Sequence, residues 1–142
     1  MNHTEMNHID KAPTHIALIG LGEVGSIFGT ALVKAGHTVT AYDVQDKTAV
    51  ANSIGVRVCS TAASAVTHAQ LIISAVTASQ TEAVAQAVAP HIAQGAFYLD
   101  FNSASPSAKQ GCAALINSAG GRYLECAVMT TVPPYGIAVP ML

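Results

Sequence analysis

The sequence predicts an α/β fold: one doubly wound parallel sheet of about six strands with helices on both faces. Three observations carry that prediction. Short apolar runs alternate with segments of helical period through residues 14–129, the order that builds parallel sheets. A glycine turn, Gly20-Leu21-Gly22-Glu23-Val24-Gly25, stands between the first apolar run and the first helical segment. The 142 residues are 51% apolar and only 10% charged, which suits strands buried on both faces beneath close-packed helices.

Taken in order, residues 1–13 read as a polar arm without the apolar core of a signal peptide. His15–Gly20 is the first strand. Helix Glu23–Ala35 follows, with Val24, Ile27, Phe28, Ala31 and Leu32 at helical spacing and Gly36 to close it. Thr38–Tyr42 is the second strand and runs into Asp43. Asp46 caps a short helix over Lys47–Ser53 that Gly55 ends. Val56–Cys59 is a third strand, and Thr61–His68 a short helix capped by Ser60 or Thr61. Leu71–Val76 is a buried strand, followed by helix Gln80–Ala89, after which Pro90 and Gly95 break the pattern. Ala96–Phe101 is the fifth strand. Ser105-Pro106 opens a helix reaching about Ser118, with proline in its favoured first turn. Arg122–Met129 is the sixth strand, and residues 130–142, with three of the six prolines, form a Pro-rich end. Right-handed crossovers then give the strand order 3-2-1-4-5-6.

The glycine turn has a specific physical meaning. Gly20 lets the chain leave the strand sharply, Gly22 lets a pyrophosphate approach the backbone, and Gly25 lets the helix sit close on the sheet. The helix start offers unpaired N–H groups and a positive dipole end. Asp43, eighteen residues beyond Gly25, stands where an acid accepts hydrogen bonds from an adenosine ribose. A Gly-x-Gly-x-x-Gly alone is also what a structural turn with a solvated Asp43 looks like; strand, helix and distal acid together point to a Rossmann dinucleotide site. A carboxylate followed by Val44, Gln45 and Asp46, with no arginine, favours NAD and leaves NADP second.

Composition excludes several classes. A net charge of −2 without a basic cluster argues against nucleic acid or an anionic membrane surface as partner. No apolar run reaches transmembrane length. Cys59, Cys112 and Cys126 are odd in number and widely spaced, so neither a disulfide framework nor a zinc site is expected, and a cytoplasmic protein is. His3 and His8 belong to the arm, and His15 and His91 read as structural.

In a doubly wound sheet, ligands bind beyond the carboxyl ends of the strands. That geometry selects Gly20, Leu21, Gly22, Glu23, Val24, Gly25 and Asp43 at strands 1 and 2. It adds Val76 and Thr77 after strand 4, Asp100–Pro106 after strand 5, and Met129–Thr131 after strand 6. Asn102, Ser103 and Ser105 are also suited to capping the Pro106 helix, with Ser105 the main cap.

The stretch Asp100-Phe101-Asn102-Ser103-Ala104-Ser105-Pro106, with the glycine turn, resembles the cofactor domain of the β-hydroxyacid dehydrogenases, which include 6-phosphogluconate and 3-hydroxyisobutyrate dehydrogenases. Asp100, Asn102, Ser103 and Pro106 match that family's Asp-x-Ser/Asn-Ser/Thr-x-x-Pro motif, and Val24 replaces the methionine of its GLGxMG turn. The resemblance implies NAD held by the residues above together with Asn102, which would lie beside the nicotinamide. Ser103 would hold substrate. The family's D-A-P-V-S-G-G after strand 6 is absent; Glu125–Thr131 stands there, so Thr130 or Thr131 would donate instead.

The resemblance also implies a lysine as general acid/base, carried on a helical C-terminal domain that builds a homodimer. No lysine here matches its motif, so no catalytic residue is expected within the chain, which reads as the N-terminal part of such an enzyme. Lys11 is assigned to the arm, and Lys34, Lys47 and Lys109 to helices away from the site. The implied activity is NAD(P)-dependent oxidation of a hydroxy acid or reduction of a related carbonyl or imine. Two rivals stand beside it: a stand-alone NAD-binding regulatory module without turnover, and a nucleotide-sugar or methyl-donor enzyme on the same fold.

Overall fold

A computed structural model describes residues 14–126. Six parallel strands form one sheet: β1 (His15–Ile19), β2 (Thr38–Tyr42), β3 (Arg57–Val58), β4 (Leu71–Ser74), β5 (Phe97–Asp100) and β6 (Arg122–Glu125). Their order is β3-β2-β1-β4-β5-β6, as the sequence predicts. The helices are α1 (Glu23–Lys34), α2 (Thr48–Ile54), α3 (Ala62–Val66), α4 (Thr81–Val88) and α5 (Pro106–Ser118).

β1 lies at the centre because both its faces are apolar. Ile16 and Leu18 join Val39, Ala41, Ile73, Phe28 and Ala51 in a core under α1 and α2. Ala17 and Ile19 point the other way, into a core with Ile72, Tyr98, Val66, Val88, Cys112 and Ile116 under α3, α4 and α5. This period-two division explains a strand with no polar residue between His15 and Gly20. Beyond β4 the first of these faces changes. Phe97 and Leu124 are 40% and 46% exposed there, with no helix over them among the described residues.

Helix ends follow local chemistry. Thr61 caps α3 by accepting from the Ser64 amide, and Ser64 returns the bond. Ser105 accepts from the Ala108 amide at the start of α5, where Pro106 needs no donor. α2 starts one residue later than expected, at Thr48, although Asp46 still accepts from the Thr48 amide at 3.0 Å. Expected helix Gln80–Ala89 is α4 flanked by two 3-10 turns, Ala78–Gln80 and Ala89–His91, the second bent by Pro90. Expected strand Val56–Cys59 narrows to Arg57–Val58: the Val56 amide is drawn back to the Ala51 carbonyl, while the Cys59 amide still reaches the Ala41 carbonyl. The arm, the Pro-rich end and strand residues 127–129 lie outside the described residues.

The histidine and cysteine assignments take physical form here. His15, at the opposite end of β1 from the glycine turn, lies 3.0 Å from the Thr40 hydroxyl, and burial lowers its pKa. Cys112 is buried against the Thr81 carbonyl, and burial pushes its thiol pKa up, away from the reactive thiolate. Among the described residues no helix is long and apolar enough to cross a membrane.

Tyr98 is the largest wholly buried side chain, and its hydroxyl, close to that of Ser74, meets no partner in good hydrogen-bond geometry. Burial raises its pKa well above the usual tyrosine value, and Asp100 adds to the rise. The native state therefore keeps Tyr98 neutral where the unfolded chain ionises, so stability is intact below about pH 10 and falls as pH climbs above it. Tyr98→Phe should flatten that alkaline limb and gain about 1 kcal/mol at neutral pH by removing an unpaired hydroxyl. Urea melts between pH 7 and 11 measure both effects.

Candidate dinucleotide-binding site

The three glycines of the turn do three different jobs. Gly20 has φ +99°, and a Cβ there would strike the Ala75 carbonyl oxygen. A Cβ on Gly25 would strike the Gly20 carbonyl oxygen, so helix α1 rests directly on the turn. Gly22 is different: its φ of −80° suits any residue, and a Cβ there would meet nothing within 4 Å. What Gly22 leaves is room. It is also the N-cap of α1, with no side chain bonded to the first turn's amides. An uncapped helix start beneath open space fits a pyrophosphate.

The cleft above that start measures about 360 Å³ and is lined by Gly20, Gly22, Glu23, Val24, Asp43, Val76 and Thr77. Leu21 and Gly25 lie beneath it, both buried. Asp43 Oδ2 accepts from the Leu21 amide at 2.8 Å, and Oδ1 accepts from the Gln45 amide at 2.9 Å. The carboxylate thus ties the tip of β2 to the glycine turn, and each oxygen keeps a lone pair for a ribose hydroxyl.

A second cleft, about 400 Å³, shares Val24, Ala75, Val76 and Thr77 with the first and adds Phe101, Asn102 and Ser103. The two together form one elongated site with Asp43 at one end and Ser103 at the other. Phe101 is fixed there by an edge contact with Phe28, centroids 5.1 Å apart. Asn102 is only 4% exposed. Thr130 and Thr131 lie outside the described residues.

Two lysine assignments need correction. Lys47 is not away from the site: it lines the Asp43 end of the first cleft, because α2 begins only after it and the loop folds back toward β2. Its position four residues after Asp43, at a helix start, was the available signal. Lys109 is on a helix, α5, as expected, but not away from the site: it is buried 3.8 Å from Asp100 and 3.5 Å from Glu125. Tyr42, Gln45 and Gln80 also line the first cleft and carried no motif.

Asp100 is the hub beneath the second cleft. It is wholly buried, accepts from the Asn102 amide at 2.9 Å and the Tyr123 hydroxyl at 2.6 Å, and faces the Lys109 ammonium. Tyr123 has its pKa raised by desolvation first and by its bond to Asp100 second, so it stays a donor. A buried carboxylate stands only with such a complete set of partners.

An all-parallel sheet with a glycine turn and an acid at the tip of β2 defines a dinucleotide-binding Rossmann domain. Residues 15–132 match the family model of the NAD binding domain of 6-phosphogluconate dehydrogenase, and the chain belongs to that family of NAD-binding domains. No curated protein matches the sequence. Among solved structures, a conserved hypothetical protein from Sinorhizobium meliloti 1021 is 33% identical with TM-score 0.83, over 92% of this chain and 46% of that one. A 3-hydroxyisobutyrate dehydrogenase from Mycobacterium tuberculosis, solved with L-serine, is 26% identical with TM-score 0.82, over 89% and 44%. A reductive aminase from Aspergillus terreus, solved with NADPH and ethyl-5-oxohexanoate, is 26% identical with TM-score 0.71, over 84% and 42%. The chain spans a little under half the length of each of these structures.

Replacing Asp100 by alanine would leave the Tyr123 hydroxyl, the Asn102 amide and the Lys109 ammonium without their shared acceptor. The expected loss of stability is about 3 kcal/mol, read from urea unfolding at pH 7.

Proposed function

We propose that this chain supplies the cofactor half of an oxidoreductase that interconverts a hydroxy acid, or a related amine, with its carbonyl or imine. The observation that carries this reading is the elongated site itself. It has an acid at one end, an uncapped helix start in the middle and Ser103 at the other end.

In this reading the amides at the start of α1, under Gly22, bind the pyrophosphate. Gly20 and Gly25 keep the backbone close enough for them to reach it, and Glu23 and Val24 wall the cleft. Asp43, oriented by the Leu21 and Gln45 amides, accepts the adenosine ribose hydroxyls. That preference selects NAD, while the nearby Lys47 gives a 2′-phosphate a counter-charge and admits NADP as the second cofactor. Val76 and Thr77 border the nicotinamide-side ribose, with Asn102 behind them. When bound, the nicotinamide accepts or returns a hydride.

Ser103 holds substrate at the mouth of the second cleft, with Thr130 or Thr131 as further donors. Hydride transfer from an alcohol carbon also needs a base within hydrogen-bond reach of the hydroxyl proton. Lys109 is unsuited to that role, since Asp100 and Glu125 engage it and it is buried. We therefore place the general acid/base on a helical domain outside this chain, reached through residues 130–142. Residues 14–129 would be the cofactor domain, inactive by itself, in a cytoplasmic homodimer.

Calorimetric titration with NAD, NADP and S-adenosylmethionine tests the assignment. NAD should bind most tightly, and Asp43→Ala should weaken it at least about tenfold through lost ribose hydrogen bonds. Binding of S-adenosylmethionine alone would overturn the oxidoreductase reading. NAD binding with no turnover, even when a lysine-bearing domain is supplied, would favour a regulatory module instead.

A further inference from the structure

The parallel ladder between β4 and β5 ends at Ser74, opposite Asp100. One residue later the Phe101 amide still reaches the Ser74 carbonyl at 3.0 Å. Past that point the two chain ends have to be joined by something other than the ladder, and the Asn102 side chain does it. Its Oδ1 accepts from the Val76 amide at 2.7 Å, and its Nδ2 donates to the Ser74 hydroxyl at 2.9 Å. The orientation of the amide group is fixed by chemistry, since the Val76 N–H is a donor and must meet the oxygen. The Asn102 backbone amide is in turn held by Asp100 Oδ1. The residue is thus bonded at three points and 4% exposed, which leaves little of its amide to meet a ligand.

We propose that Asn102 is a positioning residue: it acts on the nicotinamide end of the site by holding the Val76-Thr77 backbone in place, not by contact with the nicotinamide. This rests on the dinucleotide reading above. Val76 and Thr77 line both clefts, together with Val24 and Ala75. In the reading above they border the nicotinamide-side ribose, so a shift there displaces the nicotinamide and its ribose more than the adenosine diphosphate. Ser74 is the decisive partner, because it is wholly buried and cannot itself touch a ligand. Its hydroxyl reaches the site through Asn102.

Two ligands and two variants test this. NAD and ADP, which lacks both the nicotinamide and its ribose, are titrated calorimetrically into the wild-type chain, Asn102→Ala and Ser74→Ala. The expected result is at least about tenfold weaker NAD binding in Asn102→Ala and about threefold weaker in Ser74→Ala, with ADP changed less than about twofold in both. Hydrogen exchange at the Val76 amide supplies an independent readout, and its protection should fall in the same order. If Asn102→Ala does not fold, the selective loss in Ser74→Ala carries the test. Unchanged NAD affinity and Val76 exchange in Ser74→Ala, whatever Asn102→Ala does, would overturn positioning in favour of direct contact or no role. Equal losses for both ligands would overturn it in favour of general destabilisation. A folded wild-type chain that binds neither ligand would defeat the dinucleotide reading first and this inference with it.

Discussion

Three backbone segments meet without side chains between them, and the rest of the site depends on that meeting. The Ala75 carbonyl lies against the α-carbon of Gly20, and the Gly20 carbonyl lies against the α-carbon of Gly25. The end of β4, the end of β1 and the start of α1 are thereby held in van der Waals contact. Any Cβ at either glycine would push two of the three apart, and Gly20 also needs its positive φ. Because the contact is backbone against backbone, no rotamer change can relieve such a clash. The helix start consequently faces the same opening as the tips of β2 and β4.

A second constraint is electrostatic. The strand ends on the other side of the site are joined by polar groups that are almost entirely buried: Asp100, Asn102, Ser74 and Lys109. Their desolvation is costly, and the arrangement holds because the hydrogen bonds interlock. Asp100 bonds to β6 through Tyr123 and faces α5 through Lys109, while Asn102 reaches back to Ser74 of β4. An apolar cluster could fill the same space. It would not fix the heights of neighbouring strand ends, because apolar contacts lack direction whereas hydrogen bonds weaken steeply off axis.

The fold was legible in the sequence because its signals are local and redundant. β1 announced itself through an unbroken apolar run, α1 through helical spacing after Gly25, and α5 through Ser105-Pro106. The strand order followed from the alternation of elements. The Asp43 end was readable for the same reason, since turn, helix and acid fall within one βαβ unit. Long-range relationships were not readable. Nothing near Lys109 in the sequence signals that β5 and β6 will place Asp100 and Glu125 around it. Lys47 was misplaced because a loop's return path is not encoded in periodicity. Asn102 was found through its motif, but its bonds to Ser74 and Val76 join residues more than twenty-five positions away.

The strand order also bears on how the chain reaches its native state. β1 pairs with β2 across a single short helix, but its other neighbour is β4, and Ile16 meets Leu71 only after two further units have been laid down. Closing so long a loop loses chain entropy before any contact compensates for it, and parallel topologies of this kind fold slowly. The crossing of Gly20 and Ala75 is the seam between the β1-α1-β2 unit and the β4-β5-β6 half. The cleft therefore comes into being only when the halves dock. A ligand that binds there would hold the docked state together and slow unfolding, with little influence on the folding rate.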